Sequence, residues 1–90
     1  MTPEGKLVKY IKDTVRRNGG HVRKCRWEGR VGAPDLLIMD KGRHFWVEVK
    51  APGEKPRPIQ AREHEVMRAH GCAVYVVDSE AIFNIIYGRI

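Results

Sequence analysis

Cysteine is scarce in this chain. Its 90 residues hold two, Cys25 and Cys72, far apart and without a Cys-x-x-Cys partner. That spacing argues against a disulfide-stapled scaffold and against a thiolate zinc site, and both thiols are expected reduced, in or near the core. Long apolar runs are missing too, since none approaches the ~20 residues that a membrane-spanning helix needs. No apolar stretch follows Met1-Thr2-Pro3-Glu4-Gly5, so a secretory leader is not expected and an intracellular location is. Acidic residues are in the minority, 11 against 17 Lys and Arg, for a formal charge of +6. Such a balance suits a polyanionic partner, most often nucleic acid, although a generally basic surface gives the same number. Repeats and low-complexity tracts are absent, and nothing marks an internal boundary. With 42% hydrophobic and 31% charged residues, one globular domain over residues 1–90 is expected.

What is present is organised around Gly32 to Lys50. Leu36-Leu37-Ile38-Met39 and Phe45-Trp46-Val47-Glu48-Val49 flank a turn at Asp40-Lys41-Gly42, which reads as a β-hairpin. Along the second strand, Phe45, Val47 and Val49 point one way. His44, Trp46, Glu48 and Lys50 point the other. Antiparallel pairing brings Asp35, which opens the first strand after Pro34, near Glu48. A carboxylate inside an apolar strand is costly unless it pairs or binds a metal. Two carboxylates and a lysine at one place suit a hard cation with a neighbouring positive charge. An exposed edge strand with solvated charges accounts for the same letters.

The remaining elements follow in chain order. Thr2 and Pro3 start a helix whose Leu7, Val8, Ile11 and Val15 recur at helical spacing, and Asn18-Gly19-Gly20 stops it. Glu4 falls in the first turn, where a carboxylate also complements the helix dipole. A short basic strand is expected from His21 to Trp27. The loop Glu28 to Gly32 carries Arg30, a candidate phosphate contact and equally an ordinary surface arginine. The segment Ala51 to Pro58 contains three prolines and a glycine, so it is a loop, made basic by Lys55 and Arg57. A helix is expected from about Ile59 to His70, with Ile59, Val66, Met67 and Ala69 as its apolar face and Gln60 in its first turn. Cys72 to Val77 is the most β-prone run and is expected to be a central strand. Asp78 or Ser79 caps a last helix ending near Gly88. Ile82, Phe83, Ile85, Ile86, Tyr87 and Ile90 are too many apolar residues for one face of it. The order predicts an α/β fold: an antiparallel meander of three strands, a crossover helix and a fourth strand parallel to a neighbour.

Pro34-Asp35 and Glu48-Val49-Lys50, on the second and third strands of an αβββαβ order, resemble the PD-(D/E)xK nucleases. More narrowly, Gly32-Ala33-Pro34-Asp35-Leu36-Leu37, Val47-Glu48-Val49-Lys50 and Gln60 opening the next helix resemble the VRR-NUC (virus-type replication-repair nuclease) domains. Glu4 matches the acidic residue of the first helix in that pattern. The resemblance covers nearly the whole chain. It implies a restriction-endonuclease-like core with a mixed sheet flanked by helices, and Mg²⁺- or Mn²⁺-dependent hydrolysis of DNA phosphodiesters. The implied site is Asp35, Glu48 and the Val49 carbonyl on the metal, Lys50 at the attacking water, Glu4 on the metal or a metal water, and Gln60 at the water or phosphate. Arg23, Lys24, Arg26, Arg30, Lys55 and Arg57 are the expected DNA contacts.

Stand-alone domains of this kind resemble four-way-junction resolvases, which implies branched DNA, a homodimer and the cytoplasm of a bacterial or phage-infected cell. Two alternatives stand beside that: a flap or exonuclease of DNA repair, and a non-cleaving nucleic-acid-binding module of nuclease fold. Binding alone needs none of Asp35, Glu48 and Lys50. A restriction-type enzyme would need further chain for sequence recognition. His21, His44, His64 and His70 show no His-x-x-x-His or His-Asn-His spacing, which argues against a histidine-metal nuclease.

Overall fold

The computed structural model describes residues 1–89, so Ile90 lies outside the described residues. Helix α1 spans Pro3–Arg17 and strands β1, β2 and β3 span His21–Lys24, Leu36–Asp40 and Arg43–Val49. Helix α2 spans Pro58–Ala69, strand β4 Val74–Val77 and helix α3 Glu80–Gly88. The α/β order expected from the sequence is observed. The sheet runs β1-β2-β3-β4, antiparallel through β3, with β4 parallel to β3. Among the described residues no helix is long and apolar enough to cross a membrane.

Local chemistry accounts for the element ends. Thr2 caps α1 by accepting the Gly5 N–H on its Oγ1 at 3.0 Å, with Pro3 in the first turn. Ser79 does the same for α3 through the Ile82 N–H at 3.1 Å. The β2–β3 turn uses Lys41 and Gly42, both at positive φ (54° and 76°), the backbone of a tight hairpin that matches strand twist. The Tyr87 hydroxyl donates to Asp40, tying α3 to this hairpin.

The core lies on one face of the sheet. Leu7, Ile11 and Val15 of α1 and Phe83 and Tyr87 of α3 pack on Val22, Leu36, Ile38, Phe45, Val47, Val49 and Val77. Strand alternation therefore sends Trp46 and Glu48 to the opposite face, which carries α2 on its β4 side. Away from α2, that face is open where His21, Leu37, Met39 and His44 line a cavity of about 520 Å³.

Four details depart from the sequence expectations. Strand β1 ends at Lys24, not Trp27, because the chain there turns toward the Pro34–Asp35 segment. Strand β2 starts at Leu36, with Asp35 as the residue before it, although the Asp35 carbonyl still accepts the Cys25 N–H at 2.7 Å. Strand β4 is an edge strand, not a central one: the meander uses both edges of β2, so only the outer edges of β1 and β3 are free, and β4 takes that of β3. Helix α2 buries Gln60, Glu63, His64 and Met67, while Ile59, Val66 and Ala69 are exposed. Its inward face is polar because it covers Glu48, where carboxylates and basic groups gather, and not the apolar core.

Candidate active site

The ladder of the hairpin sets the geometry. Leu36 pairs with Val47 in antiparallel register, so one step outward Asp35 comes opposite Glu48. Parallel pairing then extends beyond β3, where the Lys50 N–H donates to the Val77 carbonyl at 2.9 Å and fixes the backbone that carries Lys50. Three contacts hold the turn before Asp35. Pro34 is fully buried. The Trp27 indole N–H donates to the Pro34 carbonyl at 2.6 Å. Gly32 adopts φ +91° with its Cα face against α2, where a Cβ would meet the Ile59 carbonyl oxygen at 2.8 Å and the Gln60 Cα at 3.1 Å. Only glycine combines that φ with that approach.

Glu4 joins from α1. The first turn of that helix borders the loops that follow β3 and β4, in a crevice lined by Pro3, Leu7, Pro52 and Asp78. The electrostatics record the convergence. Burial pushes the Glu48 carboxyl up to about 7; Lys50 opposes the shift, Asp35 and Glu4 add to it, and Arg57 opposes it. Glu48 is thus a carboxyl short of positive charge, with two further carboxylates within electrostatic reach.

That donor chemistry fits a hard divalent cation. Among the described residues no three carboxylate, imidazole or thiolate side chains come together closely enough to hold a metal ion unaided. A zinc or calcium cage would need such a set. Magnesium does not, because it is commonly held by one or two carboxylates, waters and the substrate's own phosphate. Asp35, Glu48 and a backbone carbonyl match that sparser requirement.

The other expected residues divide. Lys24, Arg26 and Arg30 line one open cleft of about 460 Å³ with Trp27 and Asp35. Lys24 Nζ is 4.0 Å from Asp35 Oδ2, an exposed pairing of little energetic weight. Arg30 is engaged: its Nη2 and Nε donate to Glu63 at 2.5 and 3.3 Å, which binds the loop to α2. Arg57 lies outside that cleft and acts electrostatically on Glu48. Arg23 and Lys55 are exposed outside the cleft. Gln60 is buried, and its Oε1 accepts the Arg57 N–H at 2.9 Å, so its side chain closes the start of α2 and leaves the amide nitrogen to donate elsewhere.

His64 was not visible as a site residue in the sequence. It is 1% exposed, its Nε2 lies 3.5 Å from Glu48 Oε1 without hydrogen-bond geometry, and that nitrogen has no partner. Burial, with Arg68 and Lys50 nearby, lowers its pKa and keeps the imidazole neutral. The available signal was spacing: Gln60, Glu63, His64 and Met67 fall at i, i+3, i+4 and i+7, one face of a helix whose Gln60 already pointed to the site.

Comparison with known proteins gives the following. No protein-family model matches the sequence. The chain is 42% identical over 84 residues to "Putative nuclease p44" of Acyrthosiphon pisum secondary endosymbiont phage 1, spanning 92% of this chain and 90% of that protein. A solved structure described as a VRR_NUC domain superposes with a TM-score of 0.89 at 43% identity, covering 98% of this chain and 97% of the other.

Proposed function

Because the chain belongs to the VRR-NUC family of nuclease domains, we propose that it is a divalent-cation-dependent DNA endonuclease that acts on branched DNA as a homodimer. The observation that carries the cation dependence is Glu48, a largely buried carboxyl pushed up to about 7 with Asp35 and Glu4 adding to the shift. In this reading the Asp35 and Glu48 carboxylates and the Val49 carbonyl would hold Mg²⁺ or Mn²⁺. Such an ion, when bound, supplies a water of lowered pKa and neutralises charge on the phosphate. Lys50 holds the attacking water in line and stabilises the charge developing on the phosphate oxygens. Glu4, within electrostatic reach of Glu48, would serve the cation or one of its waters. Gln60, its oxygen committed to the Arg57 N–H, offers its amide nitrogen to a phosphate oxygen. Lys24, Arg26 and Arg57 flank the carboxylates and neutralise the DNA backbone, with Arg23, Arg30 and Lys55 further out.

The test is cleavage of labelled duplex, flap, single-stranded and four-way-junction DNA with Mg²⁺ or Mn²⁺, and with chelator. The expected result is symmetric cutting of the junction that chelator abolishes. Cutting that survives chelator removes the cation from the mechanism.

The homodimer rests on geometry and on surface. Resolving a four-way junction takes two symmetric cuts, and a two-fold pair supplies two sites. Helix α3 buries Phe83 and Tyr87 in its own core but leaves Ile82 and Ile85 exposed at 40% and 52%. Light scattering at micromolar concentration is expected to give a dimer that Ile85→Glu dissociates. A strict monomer that cuts flaps and leaves junctions whole would replace the resolvase reading with the flap-nuclease one and keep the hydrolytic site.

With a net charge of +6, DNA affinity is expected to fall steeply with salt, log K being linear in log salt. Substituting Arg23, Lys24 or Arg26 should weaken binding evenly across sequences, because phosphate contacts carry no base information. Filter binding between roughly 50 and 200 mM salt measures both. A flat salt response would remove the case for a phosphate-dominated surface.

A further inference from the structure

The chain has two tryptophans, Trp27 and Trp46, and they stand together beside the carboxylates. Their ring centroids are 5.1 Å apart, tilted by 51°. Trp46 is on β3, two residues before Glu48 and on the same face of the strand. Trp27 is anchored by its N–H on the Pro34 carbonyl, next to Asp35. Neither indole is buried in the core, and both are only half covered. Trp27 instead lines the 460 Å³ cleft, with Lys24, Arg26 and Asp35 around it.

A half-exposed aromatic pair ringed by basic side chains is costly as a surface and useful for one class of ligand. Bases of an intact duplex are stacked on each other and cannot present a face to the protein. An unpaired base can, and aromatic platforms in positively charged grooves bind such bases with little regard to sequence. The cleft volume falls within the ~300–1,000 Å³ typical of small-ligand sites. Its one acidic wall is Asp35, so a nucleotide seated there would have its phosphate at the carboxylates.

We propose that Trp27, supported by Trp46, is a stacking platform for one unpaired nucleobase adjoining the scissile phosphate, with Lys24 and Arg26 on the flanking phosphates. The proposal rests on the Asp35–Glu48 site being the hydrolytic one, and it states what that site selects: DNA with an unpaired nucleotide at a branch, flap or frayed end. The competing role for Trp27 is a clasp on the Pro34–Asp35 turn through its N–H alone. Two substitutions separate them. Trp27→Phe keeps a ring and loses the N–H, and Trp27→Leu loses both.

The experiment measures binding in chelator, so that cleavage does not enter. Fluorescence excited selectively at tryptophan reports on this pair alone, because the chain has no other tryptophan. A flap oligonucleotide is expected to quench it, and a blunt duplex of equal length to leave it nearly unchanged. Replacing the branch-point nucleotide by an abasic one should weaken binding by roughly 5- to 150-fold, the range of one base–aromatic stack. Trp27→Leu should weaken the intact flap by a similar factor and the abasic flap hardly at all, with Trp27→Phe retaining most of the affinity. Equal losses on intact and abasic flaps, or equal quenching by blunt duplex, would overturn the platform. The abasic arm uses unaltered protein, so it stands even where Trp27→Leu folds poorly. Failure of the hydrolytic reading shows separately, as Mg²⁺-supported cleavage that survives Asp35→Asn.

Discussion

Asp35→Asn and Glu48→Gln are each expected to lower cleavage roughly a thousandfold, the rate equivalent of the several kcal/mol that a bound cation contributes to a phosphoryl-transfer transition state. Both substitutions keep shape and remove charge. Neither carboxylate is placed to contact a base, so DNA binding in chelator should be retained, or even tighten as negative charge leaves the basic cleft. Lys50→Met should cost about 100-fold or more, because it removes a single charge-stabilising donor. The three are not additive, since each disables one assembly, and a double variant should be little slower than the worse single one. Single-turnover cleavage of a labelled junction with Mg²⁺, run beside thermal melts, makes the measurement. Normal cutting by all three variants would mean that the hydrolytic site lies elsewhere.

Much of the fold was legible because its determinants are local. Thr2-Pro3 and Asn18-Gly19-Gly20 bracket α1 by capping and by glycine, Pro58 opens α2, and Lys41-Gly42 closes the hairpin. The parallel return of β4 follows from a helix between two strands. The convergence of Asp35 and Glu48 was legible too, since hairpin register is set by its turn. What was not legible depends on contacts remote in sequence. Strand propensity reports how well side chains suit a pleated surface, not where in the sheet the strand lies, so β4 read as central although it is an edge. Trp27 looked like the end of β1 because an aromatic residue raises strand propensity, whereas its partners are Trp46 and the Pro34 carbonyl. Reading α2 by its apolar letters chose the exposed side, and the buried side is set by Arg30 and Glu48, which pair with Glu63 and approach His64.

Among those charges Glu48 makes its contribution to the stability of the metal-free protein depend on pH in a direction opposite to ordinary acid denaturation. The Glu48 carboxyl is raised from an unfolded value of 4.5 to about 7, first by burial and then by Asp35 and Glu4 against Lys50 and Arg57. A raised carboxyl means that the folded state holds its proton more tightly than the unfolded chain does. The associated stability is therefore fully present below 4.5 and is lost as pH rises to about 7. Glu48 is 13% exposed at its side chain. The loss should be on the order of 3 kcal/mol, a fall in melting temperature of roughly 10 °C or more for a chain of this size. His64 works the other way: its pKa is lowered by burial, so its contribution is present above the ordinary histidine range and is lost as pH falls through it. Comparison with Glu48→Gln separates the two, since that variant keeps His64 and has no proton to lose at position 48. In chelator, Glu48→Gln should melt only slightly above the unaltered protein near pH 5 and well above it at pH 8, an inactive protein more stable than the active one. Adding Mn²⁺ at pH 8 should close the gap, because an ion that binds only the folded state stabilises it by mass action. Near pH 5.5 the same addition should do much less, because the cation must displace the Glu48 proton. Melting curves from pH 5 to 8, with chelator and with Mn²⁺, test all of this. Parallel pH profiles for the two proteins in chelator would show that Glu48 is an ordinary solvated carboxylate and would remove the electrostatic argument for a cation at this site.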